Sequence, residues 1–275
     1  MTMLYRGMDR VALDAAYNNR NAVPGFADLF AGFQARSARL YETTQCQRDL
    51  HYGELPRQRF DLFRSGNPNA PTLVFIHGGY WQSLDKEDFS FVAEGPLAHG
   101  INVVLVEYTL APQASMTQIV NEMGSLLDHL STHRDQLGIG PGPVCLSGYS
   151  AGGQLCLVHR SHPLVTHVMA ISPLVDLEPI SLSWLNEKLQ LTPHEIDAYS
   201  PLRHIGKGVP MIVGVGAAEL PELVRHASVY AAAAREAGAT AQYFAVDDCN
   251  HFTILEGLAQ PAGILMSALR RDLSV

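Results

Sequence analysis

The 275-residue chain is short of several things, and each shortage removes a class of protein. It has four cysteines, Cys46, Cys145, Cys156 and Cys249, with no CxxC pair, so neither a disulfide scaffold nor a cysteine-rich zinc knuckle is expected. Charged residues make up 17% of it, against a common share of about 25%. It has no basic run and carries a formal net charge of −8, so the electrostatic footprint of a nucleic-acid binder is missing. No apolar stretch reaches the length of a membrane span. The opening MTMLYRGMDR reaches charge before an apolar signal core can form, which leads us to expect a cytoplasmic protein in a reducing compartment. There is no HExxH, no P-loop and no internal repeat. What is abundant is hydrophobic residues, at 47%, which rules out a disordered chain. A chain this long buries roughly three quarters of its unfolded surface without a disulfide or metal staple.

Residues 1–50 are polar and helix-prone, with a short helix expected over Met8–Asn19 and Val11, Leu13 and Ala15 as its apolar face. From about residue 58 a different rhythm begins. Short apolar or β-branched runs recur at Arg59–Phe63, Thr72–Ile76, Val103–Glu107, Val144–Ser147, His167–Ile171, Pro210–Val215 and Ala241–Val246. Several are nearly continuous, as strands buried on both faces of a parallel sheet should be. Helical patterns separate them. Within Gln118–Gln136, Ile119, Val120, Met123, Leu126, Leu127 and Leu130 recur at three- and four-residue spacing. Glu222–Ala237 ends at Gly238, a suitable C-terminal cap, and Pro261–Leu273 closes the chain. Strand and helix in alternation predict a doubly wound α/β sheet in one domain spanning 1–275, with 1–50 packed on it. The segment 178–199, holding Trp184, Leu185 and Leu189, is too long for an ordinary loop and reads as a helical insertion over the sheet, a lid or a crossover helix.

The strongest chemical signal is Val144-Cys145-Leu146-Ser147-Gly148-Tyr149-Ser150-Ala151-Gly152-Gly153, a strand running through G-x-S-x-G into a helix. The glycines allow strand and helix to approach around a sharp turn that projects Ser150, with a helix N-terminus beneath it. Upstream, the strand Thr72–Ile76 runs into His77-Gly78-Gly79-Tyr80-Trp81. Acyl transfer needs unobstructed backbone N–H donors for its oxyanion, and Gly78, Gly79 and Ala151 are placed to supply them. His77 reads as a pin for this loop. His251 follows the last strand, 101 residues after Ser150, in the position of a general base. The acid that would orient its ring is expected at Glu219, after Pro210–Val215, with Asp176 as the alternative; Glu222 reads as the opening of the next helix. Asp247 and Asp248 are too close in sequence to His251 to turn back onto its ring. His129 and His133 have metal-ligand spacing but lack a third ligand, so a solvated helix face is expected.

These residues resemble the kynurenine formamidase (arylformamidase) branch of the α/β-hydrolases. His77-Gly78-Gly79-Tyr80-Trp81 is similar to its HGGxW signature, and Gly148–Gly153 to its nucleophile segment. Ser172–Ile180 and Ala15-Ala16-Tyr17-Asn18-Asn19-Arg20 also look family-like, so the resemblance runs from about Tyr17 to about Phe252. It implies the α/β-hydrolase fold and a serine hydrolase with no metal and no cofactor. Such an enzyme cleaves the formyl group from an aromatic amine such as N-formylkynurenine. The resemblance carries the nucleophile to Ser150 and the base to His251, and puts Glu219 where the family usually has Asp. Tyr80, Trp81 and Tyr149 are grouped with the substrate-binding residues, with Tyr80 and Trp81 as walls for a flat ring. The implied partner is a small molecule, with a homodimer left open. A short-chain carboxylesterase or amidase is the runner-up. A non-catalytic binding protein on the same fold is the third reading, though such proteins usually lose a catalytic residue and this chain keeps Ser150 and His251.

Overall fold

A computed structural model describes residues 2–275. Eight strands form one sheet: β1 (Cys46–His51), β2 (Arg59–Phe63), β3 (Thr72–Ile76), β4 (Asn102–Val106), β5 (Val144–Tyr149), β6 (His167–Ile171), β7 (Met211–Gly216) and β8 (Ala241–Val246). Their order is β1-β2-β4-β3-β5-β6-β7-β8. The run β4-β3-β5-β6-β7-β8 is parallel, while β2 pairs antiparallel with both β1 and β4. Residues of β3, β4 and β5 are buried throughout, because helices cover both faces. The two-residue period divides them between two cores. Leu73 and Phe75 join Val103 and Leu105 on one face; Val74 and Ile76 join Val104 and Val106 on the other.

The helices follow the apolar spacing where that spacing is long. Met116–Thr132 buries all six of the residues expected on its inner face, and a capping box between Ser115 and Gln118 starts it. It stops short of Gln136 because the chain breaks at His133 into a separate one-turn helix, Arg134–Leu137. Pro221–Glu236 ends before Gly238, whose φ of +82° lets the Ala239 amide close back on the Ala234 carbonyl. Ile264–Leu273 is the last helix.

The first 50 residues differ most from expectation. The first helix is only Arg10–Ala16, capped by Asp9, which accepts from the Ala12 amide. Leu13 is its buried residue; Val11 is 75% exposed and Ala15 lies in solvent, because two turns can turn only one narrow stripe inward. An 18-residue helix, Phe26–Thr43, packs against the 3₁₀ segment Lys86–Ala93. The expectation of helix alone fails at β1. Its sequence, CQRDLH, hides the strand period because the register slips between Gln47 and Leu50, where Asp49 adopts a φ of +54°. That slip is held by polar contacts: the Asp49 amide donates to Asp61, and the buried Lys86 ammonium lies 3.0 Å from both the Asp49 and Asp61 carboxylates.

The segment 178–199 folds into Glu178–Ser181, Asn186–Leu189 and Pro193–Tyr199. Its base is tied down where Glu195 accepts from the Thr117 amide and hydroxyl, both at 3.0 Å. Its tip is latched twice. The Trp184 amide donates to Asp14 of the first helix, and the Gln82 side chain donates to the Leu185 carbonyl. No helix among the described residues is long and apolar enough to cross a membrane.

Candidate active site

Ser150 stands between β5 and the helix Ala151–Val158 with φ +56° and ψ −114°, a conformation costly to any residue with a side chain. The surrounding sheet enforces it. The Ser150 amide donates to the Ile171 carbonyl at the end of β6. A Cβ on Gly148 would overlap the Gly152 carbonyl, and one on Gly152 would overlap the carbonyl of Ile76, so the turn closes only with glycine at both positions.

Two strand ends bring the partners. His251, after β8, places Nε2 3.1 Å from Ser150 Oγ and Nδ1 2.6 Å from Glu219 Oε2. A carboxylate accepts, so Nδ1 carries the proton and Nε2 presents its lone pair to the serine hydroxyl. Glu219, after β7, is itself held: its Oε1 accepts from Ser172 Oγ at 2.5 Å and from the Gly216 amide at 2.8 Å. All three side chains are buried. Tyr149 donates its hydroxyl to the His251 carbonyl at 2.7 Å, pinning the histidine loop. Burial, and then the Glu219 carboxylate, push the Tyr149 and Tyr80 hydroxyls up, so both remain neutral donors. The alternative acid is elsewhere: Asp176 accepts from the Tyr5 hydroxyl and the Glu178 amide and makes no contact with His251. Glu222 lies in the first turn of its helix and binds Arg225.

The loop after β3 is strained over three consecutive residues, with φ of +106° at Gly79, +53° at Tyr80 and +58° at Trp81. His77 fastens its start. Nε2 lies 3.0 Å from Glu107 and Nδ1 2.7 Å from the Gly78 carbonyl, while the ring stacks on Tyr108 at 4.6 Å. Burial alone would raise the Glu107 carboxyl; the His77 and Arg57 contacts overcome that and hold it below the usual carboxylate range. The amides of Gly78, Gly79 and Ala151 donate to no protein acceptor among the described residues. That leaves them free for an anionic oxygen.

The left-handed turn sends the two aromatic side chains apart, which corrects the expectation that both wall the pocket. Tyr80 lines a cavity of about 230 Å³ shared with Ser150 and His251. Trp81 is fully buried on the other side, with its indole N–H on Gln154 at 3.1 Å. Indole bulk and one donor fit a core position with a single acceptor better than a wet wall. The cavity's aromatic lining comes from segments the motifs did not flag: Phe26 and Phe30 from the N-terminal region, Phe89, Trp184 from the insertion, and Phe252. Tyr80 is tied to the N-terminal region by its hydroxyl, which donates to the Tyr17 carbonyl at 2.6 Å and accepts from Asn19 Nδ2 at 2.9 Å. Ser172, the support of Glu219, was also missed; a serine directly after β6 carries no signature of its own. His129 and His133 stack on each other at 4.2 Å, and no group of three potential metal ligands converges among the described residues.

A profile described as the alpha/beta hydrolase fold matches residues 73–255, the stretch that carries β3, the elbow, Glu219 and His251. The chain belongs to the alpha/beta hydrolase fold family. Within this family it is kynurenine formamidase-like. It is 27% identical to the kynurenine formamidase of Danio rerio over 256 residues, 87% of this chain and 86% of that one. It is 26% identical to the kynurenine formamidase of Drosophila melanogaster over 231 residues, 76% of each. A crystal structure from Silicibacter sp. that carries a provisional thioesterase name superposes with a TM-score of 0.84 at 28% identity, covering 96% of this chain and 99% of that one. An esterase from Pyrobaculum calidifontis has the same fold, with a TM-score of 0.74 at 18% identity, over 90% and 92% of the two chains. This alpha/beta hydrolase is therefore an enzyme, an amidase or esterase.

Proposed function

We propose that this hydrolase removes the formyl group from aryl formamides, N-formylkynurenine among them, through a formyl-enzyme on Ser150. The reading rests on the hydrogen-bonded line Ser150–His251–Glu219 opening onto a cavity walled by aromatic rings. A flat aromatic amine suits such walls, and the kynurenine formamidase relatives are named for that chemistry.

In the proposed reaction Ser150 Oγ attacks the formyl carbon while His251 Nε2 takes its proton. Glu219 stabilises the resulting imidazolium and keeps the ring aligned. The carbonyl oxygen becomes an oxyanion, for which the amides of Gly78, Gly79 and Ala151 are the available donors. Collapse breaks the C–N bond, and His251 returns the proton to the leaving aryl amine. A water, deprotonated by His251, then attacks the formyl ester and releases formate and free Ser150.

The second reading, a short-chain carboxylesterase, is favoured by a 129-residue match at 26% identity to an Arabidopsis thaliana isoprenylcysteine alpha-carbonyl methylesterase, although that match spans 46% of this chain and 30% of the relative. Formate release from N-formylkynurenine, set against hydrolysis of short aryl esters, separates the two. We expect kcat/KM for N-formyl over N-acetyl amides of one arylamine to exceed the uncatalysed ratio by about 10- to 200-fold, the range that one misplaced methyl commands. A ratio no greater than the chemical one, with aryl esters turned over faster, installs the esterase reading.

A further inference from the structure

A second cavity, of about 340 Å³, lies at the far end of the helix Ala151–Val158 that begins next to Ser150. It shares no lining residue with the reaction cavity. At a rise of 1.5 Å per residue, about 12 Å of helix lies between Ser150 and this end. Arg160 and Ser161 line the cavity from the turn after the helix, and His204, Gly206 and Lys207 line it from the loop before β7. No Asp or Glu lines it.

Arg160 is 5% exposed, yet no carboxylate pairs with it among the described residues. Its side chain has one protein partner, the Gly206 carbonyl at 2.6 Å, and its Nη1 has none. A buried charge calls for an opposite charge, and one neutral carbonyl does not supply it. The C-terminal end of the helix offers about half a unit of negative charge. The interior adds nothing: burial pushes the Tyr230 hydroxyl up to about 12 against the pull of Arg160, so it stays neutral, and its oxygen also lacks a partner. The loop before β7 is fitted to the guanidinium, since a Cβ on Gly208 would stand 3.4 Å from Arg160 Cζ. Lys207, in the same loop, adds a second cation. The nearby Asp197 does not offset either one, because its carboxylate faces Arg203 at 3.3 Å and its carbonyl accepts from His204. The amides of Gly206, Lys207 and Gly208 donate to no protein acceptor among the described residues.

We propose that this second cavity binds a phosphate group, held by the Arg160 guanidinium and the Lys207 ammonium, with the Ser161 hydroxyl and the free loop amides as further donors. A phosphate carries about −1.5 to −2 at pH 7, which matches two cations; a carboxylate brings a single charge and leaves a surplus. Charge-assisted hydrogen bonds supply the affinity. The site is independent of the acyl chemistry at Ser150 and of the choice between amide and ester. Filling it ties the end of the nucleophile helix to the loop before β7, so the bound phosphate stabilises the fold.

The test is calorimetry and thermal melting of the whole protein in inorganic phosphate, glycerol phosphate, acetate and chloride at matched ionic strength. We expect a phosphate to bind about tenfold more tightly than acetate and to raise the melting temperature with its concentration. Binding of inorganic phosphate alone assigns the free ion; binding of glycerol phosphate as well or better assigns a phosphorylated metabolite. Arg160→Met should weaken binding by about tenfold or more while keeping the melting temperature in chloride, since it removes an unpaired buried cation. Lys207 is exposed, so Lys207→Gln folds regardless, and it should weaken binding about threefold, with Lys207→Arg keeping the affinity. Protein whose Ser150 has been capped by a fluorophosphonate should bind phosphate undiminished, which separates this site from the oxyanion donors. No binding of either phosphate, equal binding of acetate, an affinity unmoved by both Arg160→Met and Lys207→Gln, or binding lost on capping Ser150 overturns the site.

Discussion

The centre of the sheet and the rim of the cavity are built on different rules. At the centre, Ser150, Glu219 and His251 lie within five residues of the end of a parallel strand, β5, β7 and β8, and hydrogen bonds from the Ser150 amide to Ile171, from the Gly216 amide to Glu219 and from the Tyr149 hydroxyl to the His251 carbonyl hold them in place. At the rim, Asn19, Trp184 and Lys188 come from short helices and turns, and Phe26 from the first residue of the long helix Phe26–Thr43; these segments are joined by hydrogen bonds such as Trp184–Asp14 and Tyr80–Asn19. The centre is close-packed and tolerates almost no change of volume. The rim is partly exposed and can vary without disturbing the sheet. This division suits a fold whose reaction is shared and whose substrate is not.

If the division is sound, substitutions at the centre abolish chemistry and those at the rim alter selection. The largest effect is expected for Ser150→Ala, a loss on the order of a millionfold in kcat with the fold intact, since a related triad loses that much and Ser150 is the hydroxyl that meets His251 Nε2. Retention of a tenth of the activity would remove Ser150 from the reaction. Next, Glu219→Gln should lower kcat/KM by about 10⁴-fold, the loss seen for the equivalent amide in serine proteases, because an amide supports the wrong histidine tautomer. Asp176→Asn, which touches only Tyr5 and the Glu178 amide, should cost far less. The reverse ranking would break the assignment of the acid.

Tyr80 sits on the boundary between the two regions and sharpens the comparison. Replacing it by glycine both widens the cavity and unties Tyr17 and Asn19. We expect the preference for formyl over acetyl amides to fall by about tenfold, a methyl's worth of apolar discrimination, with KM rising for all substrates. An unchanged preference would show that the ring does not bound the acyl side.

The smallest expected effect is on stability. His226 is fully buried beneath the N-terminal region, with Nδ1 accepting from the Val175 amide and Nε2 on the Tyr17 hydroxyl. Burial first, then Arg225 and Arg6, push it down to about 3. Glu222 and Tyr17 are the remaining polar groups around it. Its folded value lies below the unfolded value near 6.5, so the unfolded chain binds more protons between the two. The stability that neutral His226 contributes is complete above about pH 6.5 and is lost as pH falls toward 3, by up to about 1.4 kcal/mol per unit. Melting temperatures measured from pH 7 down to 4 should show this slope, and His226→Gln should flatten it while lowering the melting temperature at pH 7. A slope of the same size in the variant would assign the acid sensitivity to other groups.

How far each region can be read from sequence follows from the same contrast. The long periodic helices and the seven strands from β2 to β8 are marked by local pattern, and G-x-S-x-G marks its own turn because only glycine fits at 148 and 152. β1 was not readable, since its slipped register erases the two-residue alternation. Val11 and Trp81 were misread for a related reason. Residue type announces that a side chain is apolar, but only the path of the backbone decides which way it faces. The choice of Glu219 over Asp176 was open until β6 and β7 were set side by side, which leaves Ser172 and Gly216 to hold the Glu219 carboxylate under His251.

The sequence by itself determined the parallel sheet, the strained serine and the order of its partners, because strand period, helix period and glycine sterics act between residues close along the chain. The acid, the inward or outward sense of the paired aromatics at 80 and 81, and the cavity rim were decided only by tertiary structure. They depend on segments up to about 200 residues apart meeting at one edge of the sheet, and no local preference encodes that meeting.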